Sequence, residues 1–377
     1  MFSQSAHAHC SELPQRPTAS LYTSNHRRKN LEVSSTLKAV TPMCVKYARL
    51  SANLPTAVMS LLLFLSACGG GGGGGGAVPV AATSTAVSYT GGALIGELVT
   101  YTVDTTKLTY SYTITASQYG LTGRTGSGTL TRNADGSYTP SGVINGKIAV
   151  LPSGLFLGAI RETVNGTPST VYVFGASNLV TNFTDAAATY NYVERYCIAQ
   201  VCTSAHGTFR VTSGGTWNSC SGGNLTTGCT GTAFSGTLNY LGNGLFQVLA
   251  GSTSIGTASA VKLNGKNSLV LDLNNSANGL GLLVGSEQET VTAAQTDGTW
   301  VAGSTTGLTA KFTVTGNAIN YQTINDLPSV ITNTVTINSP WAGMATSGTG
   351  GVGILAGTNV YVFKNANGYA EVGVKIQ

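Results

Sequence analysis

The chain has 377 residues, of which 50 are glycine and 9 % are charged, with 19 basic residues against 14 acidic ones. Residues 1–67 carry seven of the basic residues (Arg16, Arg27, Arg28, Lys29, Lys38, Lys46 and Arg49) and two acids (Glu12 and Glu32), so residues 68–377 hold 12 of each sign. A balanced chain has no electrostatic footprint for nucleic acid, and nucleic acid is excluded as a partner.

Residues 1–42 show no periodic apolar pattern and read as an over-extended gene start without structure of its own; Met43 is the expected first residue. From Met43 the sequence has the parts of an export signal. Lys46 and Arg49 lie in a basic flank, an apolar run follows from Ala57 to Ala67, and small residues Ser66 and Ala67 precede Cys68. The apolar run is far shorter than the roughly 20 residues of a membrane-spanning helix. Eight glycines then follow, Gly69 to Gly76, and they can neither continue a helix nor pack a core.

Leu65-Ser66-Ala67-Cys68 resembles the lipobox of bacterial lipoproteins. The opening "SACGGGGG" is similar to that of beta-proteobacterial outer-membrane lipoproteins with Gly- and Thr-rich β domains. The resemblance implies cleavage before Cys68, lipidation of Cys68 and attachment to the membrane through the lipid. Gly69, rather than Asp, at the following position is compatible in that group with passage to the cell outer membrane, the expected location. Acyl chains contribute about 0.8 kcal/mol per buried CH2, and two such signals already give stable anchoring. Residues 68–87 become the lipidated cysteine and its tether, the glycine tract alone spanning about 15 Å r.m.s..

From about Ser88 the pattern has period two. In "LTYSYTIT" Leu108, Tyr110, Tyr112 and Ile114 share one face, as in a half-buried antiparallel strand. "VKLNGKNSLVLDL" and "TAKFTVTGNAINYQT" alternate in the same way. Asn165-Gly166, Asn243-Gly244 and Asn264-Gly265 supply tight hairpin turns, and Asp135-Gly136 and Asn367-Gly368 supply longer ones. The expected fold is all-β, an antiparallel, hairpin-rich sandwich or barrel. The length suits two packed units, 88–230 and 231–377, joined near residues 225–235. "GTLTRNADGSY", "GTFRVTSGGTW" and "GTLNYLGNGLF" share the pattern G-T-[LF]-x5-G-x-aromatic, which leaves a β-propeller as the alternative.

Four cysteines remain beyond Cys68: Cys197, Cys202, Cys220 and Cys229. In an exported chain an even number reads as two disulfides with three connectivities, zinc being the rival reading of the spacing. The local pairing Cys197–Cys202 and Cys220–Cys229 is expected, each bond bracketing a short polar loop. Between them a hairpin turning at Ser213–Gly215 would set Thr212 opposite Thr216, Cys220 opposite Thr208 and Cys202 opposite Thr226.

No catalytic residue emerges. His206 is the single histidine left after residue 67, and no G-x-S-x-G, H-E-x-x-H or P-loop pattern occurs. "DLNNSANG" sets Asp272, Asn274 and Ser276 at alternate positions but lacks the glycine and closing glutamate of a calcium loop. Glu287, Gln288 and Glu289 fit a solvent face better than a pair of glycosidase acids. Trp217, Trp300 and Trp341 are candidate platforms for a ligand, although tryptophan in a β protein usually serves the core. No cofactor or metal is implied. The sequence therefore predicts a lipid-anchored cell-envelope protein, not an enzyme, presenting a β domain for adhesion or for binding a glycan or protein ligand. An envelope glycan hydrolase is the alternative.

Overall fold

The computed structural model describes residues 85–377 apart from 118, 165, 199, 200, 276–278 and 366. Residues 1–84, with Cys68, the export signal and the tether, lie outside the described residues.

The chain is all-β. Its first eight strands are β1 (Val87–Ala93), β2 (Glu97–Asp104), β3 (Thr109–Ser117), β4 (Thr125–Arg132), β5 (Tyr138–Pro140), β6 (Ala149–Val150), β7 (Leu155–Val164) and β8 (Thr167–Ala176). They pair in chain order, β1 returns to β8, and β5 meets the β6 edge through a bridge between Tyr138 and Ile148. After a four-residue helix, α1 (Phe183–Ala186), come β9 (Ala188–Ile198), β10 (Val201–Val211), β11 (Thr216–Ser221), β12 (Thr232–Gly242), β13 (Leu245–Ala250), β14 (Thr253–Leu263), β15 (Lys266–Asn275) and β16 (Gly279–Glu287). These close into a barrel through β16 and β9. A second short helix, α2 (Ala293–Thr296), leads to β17 (Gly298–Ser304), β18 (Thr309–Thr315), β19 (Ala318–Ile324), the two-residue β20 (Leu327–Pro328), β21 (Thr332–Ile337), β22 (Met344–Ser347), β23 (Val352–Leu355), β24 (Val360–Lys364) and β25 (Ala370–Lys375). Here β17 pairs with both β18 and β25, and β18 with β19, so eight of these strands also form a ring.

The described residues thus form three meander barrels where two units were expected. The join placed near residues 225–235 falls in the β11–β12 connection of the middle barrel. The propeller alternative fails because the strands close into rings rather than stacking as radial blades.

One design recurs in all three barrels. A first-strand aromatic faces a second-strand aromatic: Tyr89 with Tyr101, Tyr190 with Phe209, and Trp300 with Phe312. Two residues after the second aromatic comes a buried valine, Val103, Val211 or Val314. In the middle and third barrels the first aromatic also ties down the helix before it. The Tyr190 hydroxyl donates to the Ala186 carbonyl at 2.5 Å, and Trp300 Nε1 donates to the Thr296 carbonyl at 3.0 Å. The three G-T segments do form hairpins, but β4–β5 and β12–β13 are fourth-to-fifth connections of their barrels and β10–β11 is a second-to-third. The repeating unit is the barrel.

In each barrel one strand face points to the interior. Tyr110, Tyr112 and Ile114 of β3 point into the first barrel, as alternation predicts. Many outward faces are buried too. Leu155, Leu157 and Phe174 of the first barrel, Val261, Val270 and Leu282 of the middle one, and Val360, Val362 and Val372 of the third share one central core. Two-sided burial explains why "LFLGAI", "LVL" and "VYVF" are continuous apolar runs instead of alternating ones. Turn chemistry follows the sequence: Asn243 and Gly244, and Asn264 and Gly265, have positive φ in tight hairpins.

Both disulfides are local, Cys197–Cys202 and Cys220–Cys229. Val211 faces Trp217 and Thr208 faces Cys220, the predicted register of the β10–β11 hairpin. Cys202, however, faces Cys197 across β9–β10 and not Thr226, because β11 ends at Ser221.

A calyx in the middle barrel

The β9 segment "YNYVERY" alternates sharply. Tyr190, Tyr192, Glu194 and Tyr196 take the face of the strand turned toward the barrel interior, while Val193 joins the central core and Arg195 faces outward. Arg195 fixes that orientation by donating to the Leu94 and Gly368 carbonyls, both at 3.0 Å, one in each neighbouring barrel. With its neighbours so held, β9 has no freedom to slip by one residue and turn Glu194 outward.

One end of the barrel is sealed. Phe183 of α1 lies 5.5 Å from Phe246, centroid to centroid, and Tyr190 is wholly buried above the helix. Asn182 caps α1 by accepting from the Asp185 amide at 2.8 Å. Phe209 and Trp217 stack at 5.3 Å to make a floor, with Trp217 Nε1 donating to the Leu249 carbonyl at 3.0 Å.

Above that floor the barrel is hollow. A cavity of about 360 Å³ is lined by Tyr192, Glu194 and Tyr196, by Leu271, Leu273 and Leu283, and by the hydroxyl-bearing Ser219 and Ser221. Ile198 and Phe234 form an apolar lip and are 43 % and 54 % exposed. Both disulfides brace this end: one closes the β9–β10 tip and the other ties β11 to the loop after it. Apolar walls with a few convergent polar groups at this volume are the usual form of a small-molecule site.

Glu194 is the one acid among the lining residues. Burial pushes its pKa up to about 7, with the Lys364 charge pulling the other way. Near neutrality it can therefore either accept or donate a hydrogen bond, and a ligand with a basic or hydroxyl end would stabilise the ionised form. A groove of about 400 Å³ between the first and third barrels, lined by Asn145, Arg161, Thr170 and Thr305, is polar and open. It lacks the apolar enclosure of the calyx.

Of the residues singled out in the sequence, Trp217 belongs to the calyx floor. Trp300 is buried at the base of the third barrel. Trp341 stacks on His206 at 5.8 Å where the middle and third barrels meet. Burial, and then the Lys364 charge, lower the His206 pKa to about 4, so its ring is neutral and packed rather than poised as a base. Asp272 and Asn274 continue as strand β15 and do not form an ion loop; Ser276 lies outside the described residues. Glu287 pairs with Lys266 at 3.0 Å. Gln288 accepts from Thr226 at 2.7 Å. Among the described residues no three His, Cys, Asp or Glu side chains are grouped to hold a metal, and no helix is long and apolar enough to cross a membrane. The sequence reading missed Glu194. Its signal was a single acid in phase with three tyrosines.

Compared with protein-family models, with curated proteins and with solved structures, the chain matches none.

Proposed function

We propose that this chain is a lipid-anchored protein of the cell envelope, held at the outer membrane through Cys68, whose middle barrel binds a small, largely apolar ligand with a basic or hydroxyl end. The observation that carries this reading is the half-empty interior of a closed barrel, walled by leucines and tyrosines, with one half-buried acid facing the space. A merely structural barrel of this size fills its interior with side chains, as the first barrel does with Tyr89, Tyr101, Tyr110, Tyr112 and Phe156. Glycan hydrolysis draws no support from the calyx, since that chemistry uses two carboxyl groups flanking the bond and Glu194 stands alone there. The glycine tract would let the barrels reach away from the membrane while the lipid holds them.

Titration with the fluorescent probe N-phenyl-1-naphthylamine tests the reading. Saturable enhancement at one site per chain is expected, lost in Leu283→Arg, which puts a charge into the cavity wall. A signal that Leu283→Arg leaves unchanged would place the probe elsewhere and remove the basis for the calyx.

A further inference from the structure

The third barrel also has an incompletely filled half, and its chemistry differs. Two adjoining cavities, of about 300 and 190 Å³, share Tyr321, Asn333, Tyr369 and Glu371 as lining residues. Tyr361 and Phe363 of β24 complete the wall of the larger one. Strand parity points Glu371, Tyr361 and Phe363 inward, because Val372 and Val374, and Val360 and Val362, belong to the central core outside the barrel, and Tyr321 packs against the interior cluster.

The Glu371 carboxylate is 7 % exposed and accepts from the hydroxyls of Tyr361 and Tyr369, the latter at 3.1 Å. Among the described residues no lysine, arginine or histidine forms an ion pair with it. Lys364 borders the larger cavity but lies on the opposite parity of β24, and its ammonium donates to the Ser204 carbonyl on the middle barrel. Burial raises the Glu371 pKa, and the hydrogen bonds from Tyr361 and Tyr369 oppose that.

The geometry points to a binding site in the third barrel for a small quaternary ammonium group, formed by Tyr321, Tyr361, Tyr369 and Glu371. A space lined by tyrosines beside an acid without a countercharge offers a cation aromatic rings and a neutralising carboxylate. A calcium ion would require six or more oxygen ligands, which one carboxylate cannot supply, and among the described residues no three His, Cys, Asp or Glu side chains are grouped to hold a metal of any kind. A primary ammonium would bring three donors to a carboxylate that already accepts from two hydroxyls and has about two lone-pair sites left, so one N–H would have to find its acceptor elsewhere in the wall. A quaternary ammonium has no N–H and needs none of these acceptors. The site is separate from the calyx, so its test and that of the calyx succeed or fail independently.

Calorimetric titration of the full chain with choline and with 3,3-dimethylbutan-1-ol, its uncharged carbon isostere, decides the matter. Choline should saturate one site per chain, with the isostere weaker by about tenfold or more, a difference within reach of a desolvated cation–π contact. Glu371→Gln should weaken choline by a similar factor, and thermal unfolding of the variant checks its folding. Should that variant not fold, Tyr321→Leu, at a half-buried position, carries the test and should weaken choline likewise. Glycerophosphocholine binding tighter than choline would assign the group to a lipid headgroup, and the reverse order to a free solute. Equal binding of choline and isostere, unchanged choline binding in a folded Glu371→Gln or Tyr321→Leu variant, or no saturable choline binding would each overturn the proposal.

Discussion

Tyr172 of the first barrel lies flat against the bare backbone of Gly303 in the third, so close that a Cβ on Gly303 would stand 2.0 Å from the tyrosine ring. The ring is fully buried and its hydroxyl donates to the Asn145 carbonyl at 2.7 Å, so it has nowhere to move. This contact is one of the joints through which the barrels share the central core.

Gly303→Val should therefore loosen the joint between the first and third barrels. Overpacking of a filled core costs about 1–3 kcal/mol. Denaturant unfolding should show a loss of that size, and a neutral result would mean the two barrels do not depend on this contact.

Asp272 links stability to pH. It is wholly buried on the outward face of β15, against the first barrel. Burial, and then the charge of Glu97, push its pKa up to about 8, and burial likewise pushes Glu97 to about 7. Between the ordinary carboxylate range and those values the folded state binds more protons than the unfolded one. The stability these groups give is complete at acid pH, falls as pH climbs, and is lost by about pH 8. Asp272→Asn should flatten the slope between pH 5 and 8. An unaltered slope would show that Asp272 does not titrate as described.

The disulfides close loops of 5 and 9 residues. Chain entropy gives each about 2–3 kcal/mol. Replacing Cys197 and Cys202 together by serine should lower stability by about that amount and weaken the naphthylamine probe, since the bond braces the calyx lip. Unchanged binding would show that the lip is held by the strands alone.

Much of this was legible in the sequence, for identifiable reasons. Alternation in "LTYSYTIT", the Asn-Gly turns and the short cysteine spacings are local signals, and local signals fix strands, hairpins and the nearby disulfides. The number of barrels depends on where a meander closes, as between β9 and β16, and no short window contains that pairing. The continuous run "VYVFGA" of β8 shows two-sided burial only once the outer face of Phe174 is seen against the other barrels. Glu194 was hidden because an acid in an alternating strand ordinarily marks the solvent face. In a barrel with a hollow interior, the inward face carries it.

The proposed anchor is tested by metabolic labelling with palmitate. Wild type should incorporate label and Cys68→Ser should not, with the variant released from the membrane fraction. Equal labelling of the two would end the lipoprotein reading while leaving the calyx untouched.

The most direct measurement of the central claim compares decylamine with decanoate as competitors for the naphthylamine probe at pH 8, above the value of about 7 to which Glu194 is raised. The two carry ten carbons each and polar ends of opposite charge. With Glu194 ionised at the cavity, decylamine should compete about tenfold or more better than decanoate, since a tenfold ratio corresponds to about 1.4 kcal/mol, and Glu194→Gln should collapse that preference while the probe still binds. Equal competition in the wild-type chain, or a preference that survives Glu194→Gln, would contradict the assignment of the calyx as a site whose acid meets the ligand.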